Sequence, residues 1–277
     1  MTILLLHPGE MGAAIGGCLV RNGTRVIYVS DGRSGTSRKR ATDEGIEDAG
    51  MLDAALAEAD AVLSICVPSG AREVAQEVAS RRFKGIYIDA NAIAPDSSRE
   101  IGRIIESAGA CFVDGGIIGL PPTSTRRTRL YLCGPQACAI AKLFAGTQTE
   151  AAVMDGPIGA ASALKMCFAA WSKGETALLA IIRALASHEG VEGTLLNEWR
   201  DSMPGVAEQS EHIVQRAWKA WRWAGEMEEI AASFEAAGLP SGFLANAEVY
   251  RRLSEFKDQK EKPSREDIHR HLLRPSK

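Results

Sequence analysis

The sequence predicts an α/β chain, with a doubly wound parallel sheet in its first half and an all-helical second half. Three observations lead there. Short apolar runs alternate with helix-period segments from residue 2 to about residue 145, the order that builds right-handed βαβ units. The runs are continuous, as in AVLSICV at 61–67, which is the pattern of strands covered on both faces. After Gly156-Pro157 no further strand pattern occurs, and the chain becomes Ala/Leu-rich with helical spacing. The boundary therefore falls near residue 155, giving units of 1–155 and 156–277.

In chain order, the apolar runs predict strands at 2–6, 25–30, 61–67, 85–90, 110–114 and 129–133. The segments between them predict helices at 11–22, 37–44, 51–59, 70–81, 95–108 and 135–145, with Pro95 suited to the first turn of its helix. A long helix is expected from Ile158 to about His188, interrupted only by Gly159 and Gly174, followed by helical segments at 191–202, 206–236 and 241–256. The highly charged stretch 257–277 carries two prolines and reads as a solvated tail or a short terminal helix.

The composition narrows the function classes. Of 277 residues, 45% are hydrophobic and 24% charged, and the net charge is −3. That is an ordinary globular balance without the basic footprint of a nucleic-acid binder. No apolar run approaches the length of a membrane span, and the N-terminus lacks the basic region of a signal peptide. Six cysteines without a C-x-x-C pair read as buried free thiols in a reducing compartment. A cytoplasmic location is expected. His269 and His271 lack metal-site spacing, so no metal is expected.

The first apolar run, Ile3–Leu6, ends in HPGEMG. A strand that stops at a tight turn and feeds a helix presents backbone N–H groups and a helix dipole to an anion, typically a pyrophosphate. Gly9 allows close approach of phosphates, and Gly12 allows close helix–strand packing. Gly16 extends the small-residue face. His7 stands where the G-x-G-x-x-G fingerprint has its first glycine. Its side chain either lies near the pyrophosphate or adenosine, or packs inward. The second strand ends in VSDGRSGTSRKR. Ser30, Arg33 and Ser34 stand where a 2′-phosphate would be bound, with Thr36, Ser37, Arg38 and Lys39 nearby. These residues favour NADP(H). Asp31 keeps NAD(H) open through the ribose hydroxyls, and a solvated loop is the plain alternative.

At this point the chain resembles the β-hydroxyacid dehydrogenase superfamily, which includes 6-phosphogluconate and 3-hydroxyisobutyrate dehydrogenases. The resemblance covers most of the chain, and its helical half is most similar to a poorly characterised branch with a 6-phosphogluconate-dehydrogenase-like C-terminal domain. HPGEMG is similar to the family's glycine turn, which implies Gly9, Glu10, Met11 and Gly12 as cofactor-binding residues. ADAVLSICVP resembles the fourth strand and the loop over the cofactor, implying Cys66, Val67 and Pro68. YIDANAIAP resembles the fifth strand and its turn, implying Asn91, although that residue could instead only order the turn. FVDGGIIGLPP and TRLYLCGP resemble the substrate loop and the strand after it, placing Ile118, Gly119 and Leu120 at substrate-binding positions. GAASALKMCFAAWSKGETALL resembles the interdomain helix, implying Lys165 as the family's lysine.

The departures bear on substrate. Ile118 replaces the family's serine, Ala169 its asparagine, and Ser172 the glutamate of 6-phosphogluconate dehydrogenases, which argues against 6-phosphogluconate and 3-hydroxyisobutyrate. Residues 165, 169 and 172 lie on one helix face. A lysine set in an apolar helix is suited to acid–base work; a snorkelling lysine is the structural alternative. Lys165 as general acid/base and Ser172 as a hydrogen-bonding partner are the catalytic expectations. Thr123, Ser124, Arg126, Arg127 and Arg129 form either an anion-receiving stretch or a solvated loop.

The leading expectation is an NADP(H)-dependent dehydrogenase or reductase. Its substrate would be a small polar, carboxylated hydroxy or keto compound. An imine or enamine reductase on the same scaffold is the alternative enzyme, and a non-catalytic NADP(H)-binding sensor the alternative of another class. His212 and the aromatic residues Trp199, Trp218, Trp221, Trp223 and Phe234 read as core or as the interface of a homodimer built through the helical half, which the resembled family also forms.

Overall fold

The computed structural model describes residues 1–257, 259 and 261–274. Among the described residues eight strands form one sheet: β1 (Thr2–Leu5), β2 (Arg25–Tyr28), β3 (Glu47–Asp48), β4 (Ala61–Ser64), β5 (Ile86–Asp89), β6 (Cys111–Ile118), β7 (Thr128–Cys133) and β8 (Thr149–Val153). Their spatial order is β3-β2-β1-β4-β5-β6-β7-β8. The connecting helices are α1 (Glu10–Arg21), α2 (Gly35–Asp43), α3 (Leu52–Glu58), α4 (Ala71–Ser80), α5 (Pro95–Ser107) and α6 (Ala137–Lys142).

The continuous apolar runs are explained by two covered faces. Ile3, Leu5, Val26, Tyr28 and Leu63 pack on one side with Ile15 and Leu19 of α1. Leu4, Ile27, Val62, Tyr87 and Phe112 pack on the other with Val78 of α4 and Ile101 and Ile105 of α5. Each fully buried side chain of this size contributes roughly 1.5–3 kcal/mol, so both faces reward apolar residues.

The structure corrects the expected strands in three places. Strand β3 is only Glu47-Asp48, both exposed, and is paired through Ile27 and Tyr28 of β2; a two-residue polar edge strand carries no apolar signal. Strand β8 pairs with β7 in parallel and is half exposed, so its run is weak. Strand β6 runs on to Ile118 and pairs with β7 antiparallel, with Gly116 opposite Tyr131. The sheet is thus parallel at every pairing except this hairpin.

The remaining helices are α7 (Ala160–His188), α8 (Glu192–Ser202), α9 (Val206–Gln209), α10 (His212–Arg216), α11 (Trp223–Ala236), α12 (Phe243–Arg252) and α13 (Arg265–Leu272). The compact units are Met1–Met166 and Cys167–Lys277. The division therefore lies inside α7 and not at residue 155, because the first turns of α7 pack on the sheet. The expected single helix over 206–236 is broken where Ser210 and Glu211 meet the buried guanidinium of Arg183, which is 2% exposed. Arg183 donates to Ser210 Oγ at 2.8 Å, to Glu211 at 3.0 Å and to Glu192 at 2.7 Å. Arg265 of α13 adds two 2.7 Å bonds to Glu211. The charged C-terminal stretch contains a true helix, started by a Ser264/Asp267 capping box and burying Ile268 and Leu272. Trp199 is core, Trp223 meets Tyr250 edge-on at 5.2 Å, and Trp218 and Trp221 lie under Lys219 and Lys257. Helix α7 carries a row of exposed large apolar residues, Phe168, Trp171, Leu178, Ile181 and Leu185. The expectation of buried thiols holds for Cys18 and Cys133, whereas Cys138 and Cys167 are exposed. Among the described residues no helix is long and apolar enough to cross a membrane.

The junction of sheet and α7 is made by one carboxyl group. Asp114, on β6, is fully buried. One oxygen accepts from the N–H groups of Gly159, Ala161 and Ser162 at 3.0, 2.9 and 3.2 Å. The other accepts from the hydroxyls of Ser98 and Ser162 at 2.8 and 2.6 Å. Removing this acceptor leaves buried donors that cost roughly 1–3 kcal/mol each when unpaired, offset in part by entering water. Asp114→Ala should therefore lose about 3 kcal/mol of stability, and Asp114→Asn clearly less. Urea denaturation midpoints check both; an Ala variant as stable as the parent would refute the clamp.

Candidate cofactor site and active site

The C-terminal ends of the parallel strands carry the candidate residues. Strand β1 ends in a turn closed by the Gly9 N–H donating to the His7 carbonyl at 2.8 Å. Helix α1 starts with Gly9 as its N-cap, and no side chain caps it. A Cβ on Gly12 would stand 2.4 Å from the His7 carbonyl oxygen, so only glycine lets α1 come this close to the strand. Nothing lies within 4 Å of a Cβ built on Gly9, which leaves that side of the turn open. Glu10 and Met11 form the first turn, half-buried. The geometry is that of an anion-binding helix start.

Beside the turn is a pocket of about 160 Å³ lined by His7, Asp31, Arg33 and Arg81 with Leu6, Val29, Val74 and Val78 among its apolar walls. His7 therefore faces this pocket. Burial first, and then the Arg33 guanidinium, push its pKa down to about 4, so the ring is neutral at pH 7. His7 Nδ1 and Arg33 Nε are both buried without a hydrogen-bond partner. Arg81 is held by Asp53 at 2.5 Å. Ser30 closes the turn by accepting from the Arg33 N–H at 3.1 Å. The Ser34 hydroxyl is the N-cap of α2, accepting from the Ser37 N–H at 3.2 Å; its first duty is structural.

Asn91 is placed just past β5 and is 1% exposed. Its amide hydrogens go to Asp89 at 2.9 Å and Ser64 at 3.1 Å, and its oxygen accepts from the Cys66 N–H at 2.5 Å. It orders the loop of Cys66, Val67 and Pro68 from beneath, which is the turn-ordering alternative. Burial pushes the Cys66 thiol up to about 12, so it is protonated near pH 7. Val67 is exposed and Pro68 opens a short 3₁₀ turn.

The expected substrate loop is a hairpin. Ile118 is the last residue of β6 and is buried, so its side chain belongs to the core. Gly119 takes a φ of +127° and Leu120 is exposed. Arg126 donates twice to the Pro121 carbonyl, at 2.9 and 2.7 Å, and Arg127 pairs with Glu150. Two of the arginines next to the loop are thus engaged within the sheet region.

Lys165 lies against β6. A Cβ on Gly116 would stand 2.5 Å from the Ala161 carbonyl oxygen and 3.3 Å from Lys165 Cβ. The last register pair of β5 and β6 is Asp89 with Asp114, so Gly115–Ile118 project beyond the end of β5. Lys165 is therefore set at the C-terminal ends of the strands, where open α/β sheets bind ligands. Its side chain is half-buried. Ser172 belongs to the second unit, half-buried, with its carbonyl accepting from Thr176 Oγ1 at 3.0 Å. Sequence reasoning missed Asp114 and Gly116, which position Lys165, and Arg81 and Asp53 beside the pocket.

An uncharacterised 28.5 kDa protein of Methanothermus fervidus is 27% identical over 165 residues, which span 60% of this chain and 63% of that relative. A conserved protein of unknown function with structural similarity to 3-hydroxyacid dehydrogenases superposes with a TM-score of 0.68 at 24% identity, covering 92% of this chain and 98% of its own. The 3-hydroxyisobutyrate dehydrogenase of Mycobacterium tuberculosis, solved with L-serine, superposes with a TM-score of 0.71 at 18% identity and 99% coverage of both chains. A reductive aminase from Aspergillus terreus, solved with NADPH, shares the fold at a TM-score of 0.59 and 16% identity, covering 98% of both chains. At these identities the structures establish a shared fold. Residues 186–253 match a domain of unknown function, DUF1932. Residues 4–145, more than half of the chain, match the NAD-binding domain of 6-phosphogluconate dehydrogenase, and the chain belongs to that family.

Proposed function

We propose that the protein is an NADP(H)-dependent dehydrogenase or reductase of a small, carboxylated hydroxy or keto compound, with Lys165 as general acid/base. The observation that carries this reading is the position of Lys165 Cβ against Gly116, on the part of β6 that projects past β5. The glycine turn and the orphaned nitrogens of His7 and Arg33 fit a dinucleotide. The bound nicotinamide would supply hydride transfer; the chain supplies position and protons. Gly9 and the open start of α1 would hold the pyrophosphate, and Arg33 the 2′-phosphate. Lys165 would take the hydroxyl proton in oxidation, or give a proton to the forming alkoxide in reduction. The neighbour solved with L-serine, a small carboxylated hydroxy compound, and the neighbour solved with NADPH support the choice of substrate class and cofactor.

Phe168, Trp171, Leu178, Ile181 and Leu185 are exposed along α7, Trp171 to 72%. An apolar stripe of this kind marks an interface, and a second copy of the chain is its proposed occupant.

Loss of a positioned acid/base typically costs about 10²–10⁴ in rate. Lys165→Met should lose turnover on that order in an NADPH-dependent screen of keto acids, while binding NADPH nearly as the parent does. Full turnover in this variant would overturn the assignment, and turnover of cyclic imines in place of keto acids would move the reading to an imine reductase. Calorimetry should show NADPH binding more tightly than NADH, and Arg33→Ala should narrow the gap; equal affinities in the parent would refute the preference. Light scattering at micromolar protein should give a dimeric mass that Trp171→Glu shifts toward the monomer.

A further inference from the structure

We infer that His7 is a cofactor-specificity residue: together with Arg33 it receives the phosphate on the 2′-position of the adenosine ribose, and it takes up a proton as that phosphate binds. The inference rests on the NADP(H) reading above and deepens it. His7 occupies the place of a fingerprint glycine that would present no side chain at all. Its carbonyl closes the turn, which sets the backbone, while its ring lines the pocket together with Arg33.

Two buried nitrogens without partners, His7 Nδ1 and Arg33 Nε, belong to residues of one pocket wall. Buried polar groups in folded proteins are nearly always satisfied, so a shared acceptor supplied from outside the chain is the economical explanation. A phosphate has enough oxygen atoms to meet both. The other charged groups lining this pocket are Asp31, Asp53, Glu77 and Arg81. Arg81 bonds Asp53 at 2.5 Å and is paired with Glu77 at 3.4 Å. Burial first, and then the charge of Arg33, hold the His7 imidazole pKa at about 4.

The sign of the linkage follows. In the free protein His7 is neutral near pH 7. A phosphate dianion beside Arg33 reverses the field on the ring and favours its charged form. The pKa is then higher in the complex than in the free protein, so protons are taken up on binding and affinity falls as pH rises. The phosphate's own second ionisation, near pH 6, has the opposite sign when a cation binds the dianion. The histidine contribution is therefore isolated by removing the ring.

The test compares 2′,5′-ADP with 5′-AMP, which differ only in the 2′-phosphate, by titration calorimetry of the full chain in two buffers of different ionisation enthalpy. The expected result is net proton uptake with 2′,5′-ADP and not with 5′-AMP, and binding of 2′,5′-ADP about fivefold tighter at pH 6 than at pH 8. His7→Gln should abolish the uptake and the pH dependence and weaken 2′,5′-ADP about tenfold, clearly more than it weakens 5′-AMP. His7→Gly, which restores the fingerprint glycine, gives the same readout should the glutamine variant fail to fold. Unchanged proton count and affinity for 2′,5′-ADP in a folded His7 variant would overturn the inference and leave the NADP(H) reading standing. A parent protein that binds 2′,5′-ADP no more tightly than 5′-AMP would overturn both.

Discussion

The carboxyl group of Asp114 is the constraint on which the candidate active site depends. It sits on β6 at the level where β5 ends, and it accepts hydrogen bonds from three N–H groups around the start of α7 and from two hydroxyls. A helix start leaves several N–H groups without intrahelical partners, and the positive end of the helix dipole favours an acceptor oxygen there. Satisfying those groups from a strand of the sheet, and not from a residue of the helix itself, locks two elements together. The lock also fixes a register. With the helix start held at Asp114, Ala161 and Lys165 are brought onto Gly116, where a Cβ would collide with the Ala161 carbonyl. One acid and one glycine two residues apart thus decide where the lysine stands.

The other candidate groups are held by the same economy at neighbouring strand ends. Gly12 lets α1 begin directly against the His7 carbonyl, and Asn91 spends both amide hydrogens on β4 and β5 residues while holding the Cys66 loop. Each device is a backbone or amide contact, buried and rigid, behind a surface that a ligand can approach. Rigid support of this kind lets catalytic positions be kept without strain in the loops above them.

The fold was legible because its signal is redundant. Continuous apolar runs mark strands buried on both faces, and β1, β2, β4 and β5 each fill both core clusters. The strands that escaped notice are those without that burial: β3, two exposed acids, and β8, a half-exposed edge. The break at Ser210 and Glu211 was equally hidden, since it depends on Arg183, far away in sequence. At the site, the glycine turn and Lys165 were singled out through their spacing and resemblance. Asp114 was not, because a single aspartate inside a strand carries no period and no motif; its meaning lies entirely in five donor groups contributed by other segments.

Helix α7 shows why residue type alone is a poor guide to chemistry. Two lysines lie in the same apolar stretch, at 165 and 173. Lys173 pairs with the buried Glu226 at 2.9 Å, stands 5.9 Å from the Trp223 ring centre, and lends its carbonyl to the Tyr250 hydroxyl at 2.5 Å. A charge enclosed in this way is compensated on all sides and specifies the packing of the helical unit; breaking such a pair would leave the partner's charge stranded. Lys165 instead is placed by backbone contacts against a glycine of the sheet. Nothing in the identity or spacing of the two residues separates them. Lys173 has an acid from another helix of the helical unit at ion-pairing distance, and Lys165 stands against a strand that runs on past its neighbour to the ligand-binding end of the sheet. The proposal for Lys165 rests on the geometry of the strand ends, and not on the presence of a lysine.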